Sequence, residues 1–182
     1  MNNTKKLAFS SVLTAAATAL LFIGGMIDVI DLSAAALAAF CVILGVIEFG
    51  YRYAALIYAA SAVLAFLVLP GASKTPAIYF ALFFGYYPIF KSVAEKVSVV
   101  FSWILKLIVY TAAYAVISLL ITKVIFPSAD FGFPLIETKW LFIILYFIGI
   151  IIFVLFDIAL TRIITVYVSK LRHSLGIDKL LK

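Results

Sequence analysis

The sequence predicts an all-α, polytopic membrane protein: a compact bundle of six transmembrane helices with both termini cytoplasmic. Three observations predict it. Only 12% of the 182 residues are charged and 67% are hydrophobic, whereas a soluble domain carries about 25% charge. Six apolar runs approach the roughly 20 residues that a spanning helix requires. The cations gather on alternate segments between those runs, as the positive-inside rule demands. So little chain lies outside the runs that residues 1–182 read as one membrane domain, with no room for a soluble catalytic one.

The first helix is placed at 7–27. Lys5 and Lys6 precede it as they would a signal peptide, but an apolar run from Leu7 to Ile27 exceeds the roughly 7–15 residues of a signal core. It ends at Asp28 and Asp31. The second helix spans 33–49, with Asp31 or Ser33 as its N-cap. Gly50 separates it from a third at 53–69, which Pro70 and Gly71 stop. Thr75 and Pro76 suit a cap and a first-turn proline, so a fourth helix is placed at 77–91. The fifth runs 99–125 and ends before Pro127. The sixth runs 140–168, followed by a basic cytoplasmic tail, 169–182. Trp103 and Trp140 fall at helix starts on opposite faces, where interfacial aromatics belong.

An even number of crossings places both termini on one side. Lys5, Lys6, Arg52, Lys91, Lys96, Lys106, Arg162, Lys170, Arg172, Lys179 and Lys182 then lie inside, against Lys74, Lys123 and Lys139 outside. Topology accounts for the net charge of +6 without nucleic acid; membrane lipids are the surroundings expected. The single cysteine, Cys41, excludes an internal disulfide and a cysteine metal cluster. The single histidine, His173, sits in the tail. The chain lacks HExxH, Gly-x-Ser-x-Gly and phosphate-loop motifs. No catalytic residue, metal or cofactor is expected.

Asp157 follows Leu141–Phe156, a run without charge. It lies about 25 Å along the sixth helix from Trp140 at 1.5 Å per residue, in the cytoplasmic third. Lys106 occupies a similar depth on the fifth helix. Intramembrane charges pair and face the bundle interior, so an intramembrane ion pair Lys106–Asp157 is expected, with Arg162 as the alternative partner. The competing reading lets Lys106 and Arg162 snorkel to headgroups. Glu48 and Arg52 form a surface pair across the cytoplasmic turn.

In "FGYYPIFK" (84–91), Gly85 permits close helix approach and Pro88 frees the carbonyl near Phe84. The stretch reads as a kinked helix end at the cytoplasmic interface. On the first helix, Ser11, Ala15 and Ala19 recur at i+4, with Ala8 near the same line. Such small-residue faces pack closely, against a helix of the same bundle or against another subunit. Toward the outer face lie Asp28, Asp31, Tyr79, Tyr114, Ser118 and Tyr146, candidates to bind a solute in a mostly apolar pocket; Ser33 and Thr122 lie there too. Caps and an aromatic belt are the competing roles.

The six-helix layout, the inward termini, the lack of a nucleotide motif and "AAATA" (Ala15–Ala19) together resemble the substrate-binding S component of energy-coupling factor (ECF) vitamin transporters. The resemblance implies a bacterial plasma-membrane protein and an outward solute pocket. It also implies that Ala15 and Ala19, with Ser11 on the same stripe, form a docking face for a transmembrane coupling subunit joined to an ATPase pair, the Ala-xxx-Ala pair being the part that the resemblance supplies. The function expected is a solute-binding subunit of an ATPase-powered importer for a small molecule such as a vitamin. The alternative is a non-transporting scaffold or assembly factor that packs against other membrane proteins. A third reading, proton-driven secondary transport, requires that Asp157→Asn abolish transport with the fold intact.

Overall fold

The computed structural model describes residues 3–68, 74–120 and 138–171. These residues are helical and contain no strand. The elements are α1 (Asn3–Met26), a 3-10 turn (Asp28–Ile30), α2 (Asp31–Phe49), α3 (Tyr51–Val68), α4 (Thr75–Tyr79), a π segment (Phe80–Phe84), α5 (Tyr87–Ala94), α6 (Val99–Leu120), α7 (Thr138–Val166) and a second π segment (Tyr167–Leu171). With α4 and α5 joined as one span, Thr75–Ala94, six helices are long and apolar enough to cross a membrane. This is the pattern of a multi-pass membrane protein. The loop around Pro127–Pro134, the last residues of the expected fifth helix, and tail residues 172–182 lie outside the described residues.

Backbones approach closely along α1, α2 and α3. The buried residues of α1 are Ser10, Thr14, Ala17, Leu21, Gly24 and Gly25, a near-continuous small face. It meets Ala34, Ala35, Ala38 and Ala39 on the buried side of α2. A Cβ at Gly24 would come 2.5 Å from the Ala34 Cβ, so glycine is what allows that approach. The hydroxyls of Thr14 and Thr18 bond within α1: Thr14 Oγ1 donates to Ser10 O and Thr18 Oγ1 to Thr14 O, both at 2.9 Å, which removes the cost of leaving these two donors unpaired in an apolar medium. Gly50 connects α2 to α3 alone, at φ 83. That left-handed backbone suits glycine and turns the chain within one residue.

Three expected details differ. Neither Asp31 nor Ser33 is the N-cap of α2: Ile30 holds that position and Asp31 is the first helical residue. Lys74, not Thr75, is the N-cap of α4, with Thr75 and Pro76 inside the first turn. The helix expected at 77–91, with a kink at its cytoplasmic end, is two α-helices joined through a π segment, and it reaches Ala94. The irregularity therefore precedes Pro88. Gly85 N–H reaches back five residues to Phe80 O at 2.7 Å. Ala81 O accepts instead from the Tyr58 hydroxyl at 2.7 Å. A Cβ at Gly85 would meet the Tyr58 ring at 2.5 Å. The tyrosine thus fills the space that glycine leaves and satisfies the carbonyl that the π segment exposes.

Candidate functional site: a charged layer between two cavities

The wide seam between α6 and α7 brings buried charge and cavity space together. On α6, Ser118, Tyr114, Tyr110 and Lys106 follow one another at four-residue steps. On α7, Gly149, Phe153, Asp157, Thr161 and Thr165 do the same. Four residues advance about 6 Å along a helix while nearly keeping one face. Each stripe is therefore a column along the seam.

Lys106 Nζ lies 3.1 Å from Asp157 Oδ2. Both side chains are buried. The pair is half of a larger group. Lys91 Nζ lies 2.6 Å from Asp157 Oδ1 and 2.7 Å from Glu95 Oε1, and Lys106 Nζ lies 2.8 Å from the same Glu95 oxygen. Two cations and two anions thus close a neutral four-membered ring from α5, the turn after it, α6 and α7. Lys91 donates a further bond to Asp157 O at 3.3 Å, which uses all three of its N–H groups. Tyr87 donates to Asp157 Oδ1 at 2.6 Å. Lys106 also lies 5.2 Å from the Trp103 ring centroid, within cation–π range. Burial acts to raise the Glu95 carboxyl, but the hydrogen bonds from Lys106 and Lys91 prevail and hold it below the usual carboxylate range.

Arg162, the expected alternative partner, makes no ion pair with Asp157 and is exposed. Five residues on from Asp157, it is rotated about 140° around the helix. Lys91, expected only as a cytoplasmic charge, is 1% exposed. Its role was legible in a spacing left unused: Tyr87, Lys91 and Glu95 stand at i, i+4 and i+8 on one helical stripe, which the proline between them obscured.

On one side of this layer, a cavity of about 270 Å³ is lined by Tyr79, Phe83, Phe84, Tyr110, Tyr114, Ser118, Phe153 and the apolar flank of α7. Three expected solute residues, Tyr79, Tyr114 and Ser118, therefore meet there, from α4 and α6. Tyr146 adjoins them, its ring 5.3 Å from that of Tyr114. Asp31 is buried at the start of α2 and is not part of the lining. Asp28 begins the 3-10 turn, and its side chain lies outside what is described. The tyrosine hydroxyls are mostly occupied. Tyr114 donates to Phe142 O at 2.6 Å, Tyr110 to Tyr146 O at 3.0 Å, and Tyr146 shares a 3.0 Å bond with Thr111. The cavity therefore presents mainly ring faces and aliphatic carbon.

On the other side, a crevice of about 360 Å³ is lined by Glu95, Trp103, Lys106, Asp157, Ile158, Thr161, Arg162 and Thr165. A further hollow of about 820 Å³ lies at the same end, against α1 and α3, with Lys6 and Arg52 in its wall. Glu48, expected to pair with Arg52, lies within 3.1 Å of the Tyr167 hydroxyl, which donates to it.

Ser11, Ala15 and Ala19 are exposed. The face of α1 used inside the bundle is the one through Thr14, Ala17 and Leu21, so the stripe does not pack within the described bundle. Among the described residues no group of three His, Cys, Asp or Glu side chains gathers to hold a metal.

The fold and this seam define a class: an all-helical, six-span protein with a charged layer between two cavities. Comparison of the chain with protein-family models, curated proteins and solved structures gives no match.

Proposed function

We propose that the chain is the membrane-embedded solute-binding subunit of a multi-subunit, ATPase-powered importer for a small molecule such as a vitamin. In this reading it sits in a bacterial plasma membrane with both termini cytoplasmic and has no catalysis or cofactor of its own. The observation that carries the reading is the meeting of Tyr79, Tyr114 and Ser118 on one 270 Å³ cavity, at the end of the seam away from the charged layer. A cavity slightly below the usual 300–1,000 Å³ of ligand pockets, walled by rings and few free polar groups, suits a small, uncharged, largely apolar solute. The resemblance to ECF S components adds the partner: a coupling subunit against the exposed Ser11, Ala15 and Ala19 face, joined to two ATPases. The orientation rests on charge. Lys5, Arg52, Lys96 and Lys170 are exposed at one end and would face the cytoplasm. Solute binds from outside, the partner engages α1, and reorientation of the bundle releases solute inside.

A second reading, a scaffold that binds other membrane proteins, is favoured by the hydroxyls of Tyr110 and Tyr114. Both serve helix carbonyls and none is held open for a solute. A mild-detergent pull-down of the tagged chain, with mass spectrometry of proteins and small molecules, separates the two. Recovery of two ATPases, a multi-helix partner and a bound solute is the expected result. A chain that emerges with other membrane proteins but neither ATPase nor solute supports the scaffold.

A further inference from the structure

We propose that the charged layer is a gate: Lys106 and Asp157, braced by Tyr87, Lys91 and Glu95, close a single path along the α6–α7 seam between the cavity and the crevice. The inference rests on the solute-binding reading and gives the inner step of release: once the bundle has reoriented, the bound molecule leaves through this gate.

The geometry is continuous across the layer. Tyr110 and Phe153 form part of the cavity wall, with rings stacked at 5.2 Å. One helical turn further along each helix stand Lys106 and Asp157, which line the crevice. The barrier is therefore about 6 Å of helix thick. The two sides are also joined through rings. Phe83, in the cavity wall, stacks on Tyr87 at 5.3 Å. Phe153 meets Tyr87 edge-on at the same distance. The Tyr87 hydroxyl then holds the Asp157 carboxylate. A molecule that shifts Phe83 or Phe153 must move the ring whose hydroxyl fixes the central anion of the gate. Phe83 belongs to the π segment, a backbone form found at functional sites and able to shift register.

A neutral ionic ring suits a gate better than an apolar plug does. Closed, it satisfies every donor of Lys91. Once opened from the crevice side, its charges gain hydration that offsets part of the attraction lost on separation, which exposed hydrocarbon does not. The crevice supplies that water, with Thr161, Thr165 and Arg162 already in its wall.

The test needs no solute. In a Cys41→Ala background, Ala113→Cys places one thiol in the cavity wall. Spheroplasts and inside-out vesicles are treated with membrane-impermeant methanethiosulfonate ethyltrimethylammonium, whose quaternary charge is fixed. With the gate intact, the thiol reacts from the outer face only. Asp157→Asn should raise labelling from the inner face by at least about tenfold. Tyr87→Phe, which keeps the ring and every charge, should raise it about fivefold. Should Asp157→Asn fail to fold, shown by loss of outer-face labelling, Tyr87→Phe carries the test. Unchanged inner-face labelling in a variant that keeps its outer-face labelling overturns the gate. A pull-down without ATPases or solute would instead overturn the importer and leave the gate standing.

Discussion

Helices α1 to α3 and helices α6 and α7 are built from similarly apolar sequence but joined by opposite means. In the first group alanine and glycine bring backbones together: Ala17, Ala35, Ala38, Ala39 and Ala54 are all fully buried. Gly45 faces Ile57 and Ala54 so closely that a Cβ there would lie 2.5 Å from the Ile57 side chain. In the second, rings and ions span a wider gap: Tyr110, Phe153, Phe156, Lys106 and Asp157 are among the buried groups. Close backbones leave little space between them. A gap bridged by large, directional side chains leaves the cavity and the crevice. The contrast teaches that small-residue contacts bring the backbones of this protein together, while the aromatic and charged contacts leave the seam at which we place the gate.

The hardest way to break the contrast is to unbalance the seam. Asp157→Leu should cost about 3–5 kcal/mol, because it strands buried lysines, read as loss of folded protein in a detergent-to-denaturant titration. Asp157→Leu with Lys106→Leu should be tolerated better than either change alone, since Lys91 and Glu95 remain paired at 2.7 Å. A double variant as damaged as the worse single one would refute the coupling. Next comes the close packing of α1 to α3. Gly24→Val should cost about 1–3 kcal/mol by overpacking against Ala34, lowering the thermal midpoint. In the seam, Gly149→Ala would push its Cβ into the Tyr110 hydroxyl. The lost bond to Tyr146 O should cost about 1 kcal/mol, with a matching drop in midpoint.

Acid sharpens the comparison further. Glu95 titrates below the ordinary value of 4.5, so its ion pairs stabilise the fold above that pH and fade as pH falls through the lowered value. The thermal midpoint should decline below about pH 4.5 in the parent, and Glu95→Gln should flatten that part of the profile; an unchanged slope would show that Glu95 contributes nothing. The smallest expected effect lies on the free face of α1. Ala15→Leu should change stability by less than about 0.5 kcal/mol yet abolish recovery of a coupling subunit, if that face docks one.

Much of the fold was legible in the sequence, because a spanning helix must be both long and apolar, and six runs met that condition. Asp157 and Lys106 were legible for a related reason: a charge in such a run is costly alone, and helix length set their depths. Lys91 was harder to read. Near a helix end its charge satisfies the topology rule as well exposed as buried, and only packing turned it inward. Arg162 shows the converse, since proximity in sequence placed it on the wrong side of α7. The small residues of α1 gave two candidate faces with similar composition; contact with α2 buried one and left Ser11, Ala15 and Ala19 outside.

The sequence by itself determined the number of spans, the end that carries most of the cations and the need of Asp157 for a partner, because hydropathy and charge act along the chain. Tertiary structure alone decided that four charges would close one ring, that Tyr87 would brace it, and that cavities would lie on either side. Those outcomes depend on which faces of three helices meet, and faces are selected by shape complementarity among side chains far apart in the chain.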